Sequence, residues 1–180
     1  MAGFMLGIER GDSGVVAPAQ PIYTYTWRLD ELTGNGINDN SPLIYVKELS
    51  LPEFGVETED VPGASIKYKY AKGITWNDVK ITFYSTGGLL AALEDLKSKV
   101  WSPETGIQSA VEYKRTSGIT QFYADDQTEA QSWTLNGSWI KGISHSNLTY
   151  TGSDVHNVIA TVAYDWAESS PGNNSSGGDF

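Results

Sequence analysis

The chain of 180 residues has no cysteine, only two histidines and two methionines, and 12 Lys and Arg against 22 Asp and Glu. Without cysteine there is neither a disulfide nor a thiolate metal site. The two histidines, His145 and His156, have no further His or Cys at ligand spacing, and we read both as surface or satisfied side chains. The shortage of basic residues leaves a formal net charge of −10. Such a surface repels phosphate, whereas sequence-specific nucleic-acid recognition needs a basic footprint. No run approaches the ~18 consecutive apolar residues of a membrane helix, so no membrane anchor is expected. The N-terminus, MAGFMLGIERGDSG, lacks the basic start and long apolar centre of a signal peptide, and no export by the general secretory route is expected. A P-loop, a G-x-G-x-x-G after a strand and a G-x-S-x-G elbow are all missing from the sequence. Neither a cofactor nor an enzymatic activity is expected.

What the chain does have is a period of two. Tyr23, Tyr25, Trp27 and Leu29 alternate with Thr24, Thr26, Arg28 and Asp30. Ile66, Tyr68 and Tyr70 alternate with Lys67 and Lys69, and Val79, Ile81 and Phe83 with Lys80, Thr82 and Tyr84. Val158, Ala160, Val162, Tyr164 and Trp166 share one face of a late run. Each run predicts a half-buried strand with one wet face. Less regular strands are expected at 44–51, 112–124, 131–138 and 140–150.

One segment, GGLLAALEDLKSKVW, breaks this rhythm. Leu89, Leu93, Leu96 and Val100 recur at helical spacing and form one apolar stripe. Ser85 or Thr86 is the expected N-cap, Asp95 is placed to meet Lys99 one turn on, and Pro103 follows the helix end. The expected fold is therefore mainly β, an antiparallel sandwich or barrel of about eight strands with one α-helix. We divide the chain into an N-terminal arm at 1–20, one domain at 21–168 and a flexible tail at 169–180. The tail, SSPGNNSSGGDF, is too poor in apolar residues to offset its ordering entropy.

Other chemistry-bearing residues read blandly. Asp125-Asp126 is read as a solvated turn rather than a metal pair. Asn136, Asn147, Asn173 and Asn174 each begin an N-x-S/T triplet, read as chance matches. With 6 Trp and 10 Tyr, a carbohydrate-binding or glycoside-hydrolysing β-sandwich is the alternative, with Glu112 and Glu129 as its carboxylates. Against it, most of these aromatics already have places on strand faces, where packing is their first role.

Several segments, taken in order, are familiar together. They are Val46 through KELSLPEFGVETEDVPGASIKYKYAKGITWNDVKITFYS, the helix, EYKRTSGITQFYADD, WTLNGSWIKGISHSNLTY and VIATVAYDWAE. Leu51-Pro52 leads into a stretch closing on Val61-Pro62-Gly63. Gly73, Trp76, Asp78 and Val79–Phe83 follow, then Tyr113-Lys114, Gly137-Ser138-Trp139 and Tyr164-Asp165-Trp166-Ala167-Glu168. Across residues 22–168 this order and spacing resemble the tail tube protein of contractile-tailed bacteriophages, whose fold is shared by the tubes of type VI secretion systems and bacteriocins. The insert TGNGINDNS at 33–41 and the C-terminal tail are extra, which leaves room for a tube initiator.

The resemblance implies a structural subunit whose hexameric rings stack into a hollow tube. Duplex DNA would pass through the lumen without specific binding when a surrounding sheath contracts. The implied partners are further copies of the chain, the tail sheath protein, a baseplate protein or tube initiator, and a tail terminator. The implied place is the tail of a virion assembled in the host bacterial cytoplasm. For self-association we single out Pro52, Glu53, Phe54, Val56, Glu57, Glu59, Asp60, Val61 and Pro62. They are expected to form a proline-framed loop that reaches an adjacent subunit or ring.

Overall fold

A computed structural model describes residues 22–38, 40–62, 66–123, 128–150 and 154–171, together with the backbone of 8–10 and 16–18. In chain order the described elements are β1 (Ile8–Arg10), β2 (Val16–Pro18), β3 (Trp27–Leu32), β4 (Asn35–Gly36), a 3-10 turn (Pro42–Ile44), β5 (Val46–Leu49), β6 (Glu53–Pro62), β7 (Lys67–Asn77), β8 (Val79–Tyr84), α1 (Leu89–Val100), β9 (Trp101–Ser102), β10 (Gly106–Ile107), α2 (Ala110–Tyr113), β11 (Arg115–Phe122), β12 (Glu129–His145), β13 (Asn157–Ala163) and β14 (Trp166–Pro171).

The long strand β12 organises the body. Its first half lies between β11 and β14, with Trp133 opposite Ile119 on one side and Ser169 on the other. Its second half pairs with β13, Ile143 opposite Ala160. The main sheet runs β4-β3-β11-β12-β13-β8-β5, all antiparallel. The change of partner falls at Gly137, whose φ is +68°. A Cβ there would lie 2.8 Å from Cγ of Asp165, so glycine is required both by conformation and by space. Asp165 sits in the corner between β13 and β14. Its N–H donates to the Asn136 carbonyl at 2.9 Å, and Lys114 Nζ donates to its two carboxylate oxygens at 2.6 and 2.8 Å.

The alternation of β8 and β13 sends Val79, Ile81, Phe83, Val158, Ala160 and Val162 into the core. They meet Leu29, Leu32, Ile119, Leu135 and Ile140 from the other strands and Leu89, Leu93 and Leu96 from α1. Each such side chain contributes about 1.5–3 kcal/mol by leaving water. The buried hydroxyls of Ser117 and Ser138 are 2.7 Å apart. Ser117 Oγ also accepts the Thr33 N–H, and Ser138 Oγ donates to the Arg115 carbonyl. That chain removes the cost of burying unpaired polar groups.

The helix keeps its expected stripe, and Lys99 pairs with Asp95 at 3.2 Å. Its N-cap is Gly88, with no side-chain cap, in place of the expected Ser85 or Thr86. Thr86 helps only through its carbonyl, which accepts the Leu89 N–H at 3.1 Å.

Several boundaries differ from the sequence reading. The strand expected from Tyr23 onward is β3 and begins only at Trp27, because Tyr23 and Tyr25 sit in a turn closed by Thr26 N–H on the Tyr23 carbonyl. The two strands expected at 131–138 and 140–150 are one strand bent at Gly137. Glu112 and Tyr113 lie in the short helix α2, so β11 starts later, at Arg115. The insert at 33–41 opens with a tight turn at Thr33-Gly34, both at positive φ, into β4. Residues 169–171, assigned above to the tail, continue β14 against Gln131, Ser132 and Trp133. Within the arm, Ile8–Arg10 pairs with Val16–Pro18. Asp125-Asp126, Asn173 and Asn174 lie outside the described residues.

Candidate assembly surface

The stretch from Glu53 to Pro62, expected to be a loop, is the strand β6. It pairs along its whole length with β7 and with no other described strand. All ten of its residues are exposed, while Pro52 just before it is buried. The hairpin therefore leaves the sandwich as a two-stranded ribbon with both outer edges unpaired, the arrangement most ready to accept another chain. The sequence reading took the alternation of Ile66, Tyr68 and Tyr70 as a half-buried strand. Alternation gives a strand two faces, and among the described residues nothing covers either face at Tyr68 and Tyr70.

Residues paired in register share a face, and neighbours along a strand alternate. One face of the ribbon carries Phe54 opposite Trp76 and Val56 opposite Ile74. Beyond them the register shifts between Glu57 and Thr58, where Lys72 is the extra residue of β7. After this bulge the same face carries Asp60 opposite Lys69 and Pro62 opposite Lys67. The other face carries Glu53 and Glu57 near the body, then Glu59 opposite Tyr70 and Val61 opposite Tyr68. The bulge thus moves the apolar side of the ribbon from one face to the other. Phe54 and Ile74 are each 64% exposed, Tyr70 57% and Tyr68 50%.

The ribbon is anchored at its base. The Trp76 ring lies 5.5 Å from that of Phe54 and 5.8 Å from that of Tyr164. Burial pushes the Tyr164 hydroxyl above the ordinary tyrosine range; the Glu53 backbone opposes this, and the charges of Asp78 and Glu53 add to it.

The remaining candidates do not form a reactive site. The rings of His145 and His156 stack at 5.6 Å, 9° from parallel, and among the described residues no group of three or more His, Asp or Glu is arranged to hold a metal ion. Glu112 lines a small cleft of about 290 Å³ with Tyr113, Arg115 and Leu96. Glu129 opens β12 opposite Phe122 and does not line that cleft. A larger groove, about 770 Å³, runs between β3 and β5 and is lined by Trp27, Leu29, Ile37, Leu43 and Val46. No acidic pair spans it.

The sequence matches no protein-family model and no curated protein. Solved structures do match. The tube-terminating cap of the anti-feeding prophage superposes with a TM-score of 0.70 at 12% identity, over 89% of this chain and 97% of the other. A chain of the extended sheath–tube complex of an extracellular contractile injection system gives 0.64 at 13%, over 84% and 92%. A chain of the sheath/tube terminator of such a system gives 0.64 at 13%, over 86% and 99%. The chain has the tail-tube-like fold found in tube, cap and terminator proteins of contractile injection systems.

Proposed function

We propose that this chain is a structural, non-enzymatic subunit of the tube, or of a tube end, in a contractile injection machine. The observation that carries the reading is the near-complete superposition on a tube-terminating cap, 89% of one chain on 97% of the other. The exposed β6–β7 ribbon supports it, because an unpaired ribbon bearing aromatic and aliphatic side chains is suited to association rather than to solvent. On this reading the chain forms hexameric rings that stack. Sheath subunits surround them, a baseplate protein or initiator holds one end and a terminator the other. The proposed setting is a phage tail or a related particle.

Duplex DNA passing through the lumen belongs to the same proposal. A ring of chains carrying −10 each repels phosphate within a Debye length, about 8–10 Å in ordinary salt. The segment 52–62 is assigned to contact with a neighbouring subunit or ring. The test is electron microscopy of the purified chain in negative stain, alone and with sheath and baseplate partners. Rings or tubes are expected. A chain that stays monomeric at every concentration and with every partner refutes the reading.

A further inference from the structure

We propose that Asn35 is a site of spontaneous covalent modification, converted through a cyclic imide to aspartate and isoaspartate, and that Asn136, although it too precedes a glycine, keeps its amide. The sequence holds two Asn-Gly pairs, Asn35-Gly36 in the insert at 33–41 and Asn136-Gly137 in β12. A glycine after asparagine favours attack by its own backbone nitrogen on the side-chain amide, because no Cβ shields that nitrogen and the backbone turns freely. The tertiary structure separates the two pairs.

Thr33 and Gly34 form a two-residue turn at φ +47° and +81°, so Leu32 and Asn35 are the hydrogen-bonded pair that closes the hairpin. The next such pair is Asp30 with Ile37, whose N–H donates to the Asp30 carbonyl at 2.8 Å. Gly36 lies between them, opposite Glu31, at the position whose N–H points away from β3. β4 is only two residues long and ends its sheet, so no described strand takes up that N–H. Gly36 is exposed, and a Cβ placed on it would meet nothing within 4 Å. The Asn35 amide donates to the Leu32 carbonyl at 3.5 Å, a long contact that holds it weakly. Asn35 also lines a cleft with Lys99, Arg115 and Glu112, where two cations against one carboxylate favour the negative charge that the reaction leaves behind. Asn136 is held. Its strand has partners on both sides, β11 and β14. Its carbonyl accepts the Asp165 N–H at 2.9 Å, and the Asp165 carboxylate fills the space over Gly137. Bringing the Gly137 nitrogen onto the Asn136 side chain requires that corner to open, whereas at Asn35 the fraying of a terminal two-residue strand is enough.

The Gly36 nitrogen gives its proton to solvent base and bonds to Cγ of Asn35. The Cγ–Nδ2 bond breaks, and Nδ2 takes a proton from solvent and leaves as ammonia. One water then opens the imide. Attack at Cγ breaks its bond to the Gly36 nitrogen and gives aspartate. Attack at the backbone carbonyl carbon breaks the other C–N bond and gives isoaspartate, whose chain runs through Cβ and Cγ. Nothing is oxidised or reduced.

The full chain, kept for days at mildly alkaline pH, is digested in mild acid and mapped by mass spectrometry with isoaspartate detection. Asn35 is expected to convert at least about ten times faster than Asn136, with aspartate and isoaspartate both present. Gly36→Ala enters open space and should leave circular dichroism unchanged while slowing Asn35 at least about tenfold. Unfolded in guanidinium chloride, the two asparagines should react at similar rates. Retention of the Asn35 amide, or equal rates at both positions in the folded chain, overturns the proposal. Aspartate without isoaspartate, or an unaltered rate in Gly36→Ala, overturns the imide route. An Asn136 that stays slow in the unfolded chain overturns the protection assigned to the fold.

Discussion

Replacing Gly137 by alanine tests whether the corner that joins the two halves of the sandwich is built as described. At φ +68° an alanine is held in the left-handed region, at about 1–2 kcal/mol. Its Cβ also lies 2.8 Å from Cγ of Asp165, closer than carbon atoms approach, so Asp165 must move. That displaces the Lys114 ion pair, partly exposed and contributing about 0–1 kcal/mol. It also strains the backbone bond from Asp165 to Asn136, about 1 kcal/mol. The lower freedom of an unfolded chain with alanine returns about 0.5 kcal/mol. The net loss is about 2–3 kcal/mol, read as a lower urea midpoint in tryptophan fluorescence with an unchanged slope. In an Asp165→Gly background the clash is gone, and Gly137→Ala should cost only about 1–2 kcal/mol. Equal costs in the two backgrounds would refute the steric part of the argument, and a neutral Gly137→Ala would refute all of it.

Four other outcomes follow from the same structure. Leu93→Ala on the buried stripe of α1 should cost about 2–5 kcal/mol, whereas Leu90→Ala, at 40% exposure, should stay within about 0.5 kcal/mol; denaturant titration of the pair checks both. Replacing Val56–Ile74 by Asn-Gly should leave the melting temperature almost unchanged, because the removed residues are outside the core, while abolishing assembly in negative stain. Tyr164 has a raised pKa in the folded state, so its contribution is complete below pH 10, the ordinary tyrosine value, and is lost as pH rises through the folded value; Tyr164→Phe should flatten the alkaline fall of stability measured by urea titration across that range. Assembled tubes should show no measurable affinity for duplex DNA in a filter assay at moderate salt, and tight binding would contradict the proposed anionic lumen.

Local pattern was enough for the parts of this protein where pattern and burial coincide. Val79, Ile81 and Phe83, and Val158, Ala160 and Val162, were legible as core, because a period of two with β-branched and aromatic residues has one stable use in a covered strand. The stripe Leu89, Leu93 and Leu96 was legible as helix for the same reason at a period of 3.6. The order of segments was legible as a resemblance, and the superposition bears out the fold.

Where a strand bends and what covers it are set by contacts between distant residues, and these the sequence left open. Gly137 reads as one more residue of the strand expected at 131–138 until Asp165, brought over it by β13, shows why that position must be glycine. Ser169 to Pro171 read as tail until the free side of β12 gives them a partner. Most of all, Tyr68 and Tyr70 alternate with lysines just as a half-buried strand would. Only the tertiary structure shows that no part of the described chain lies over them, and that one extra residue at Lys72 turns them away from Phe54 and Val56. Sequence period determines that a strand has two faces; the packing of the whole molecule determines whether either face is covered, and by what.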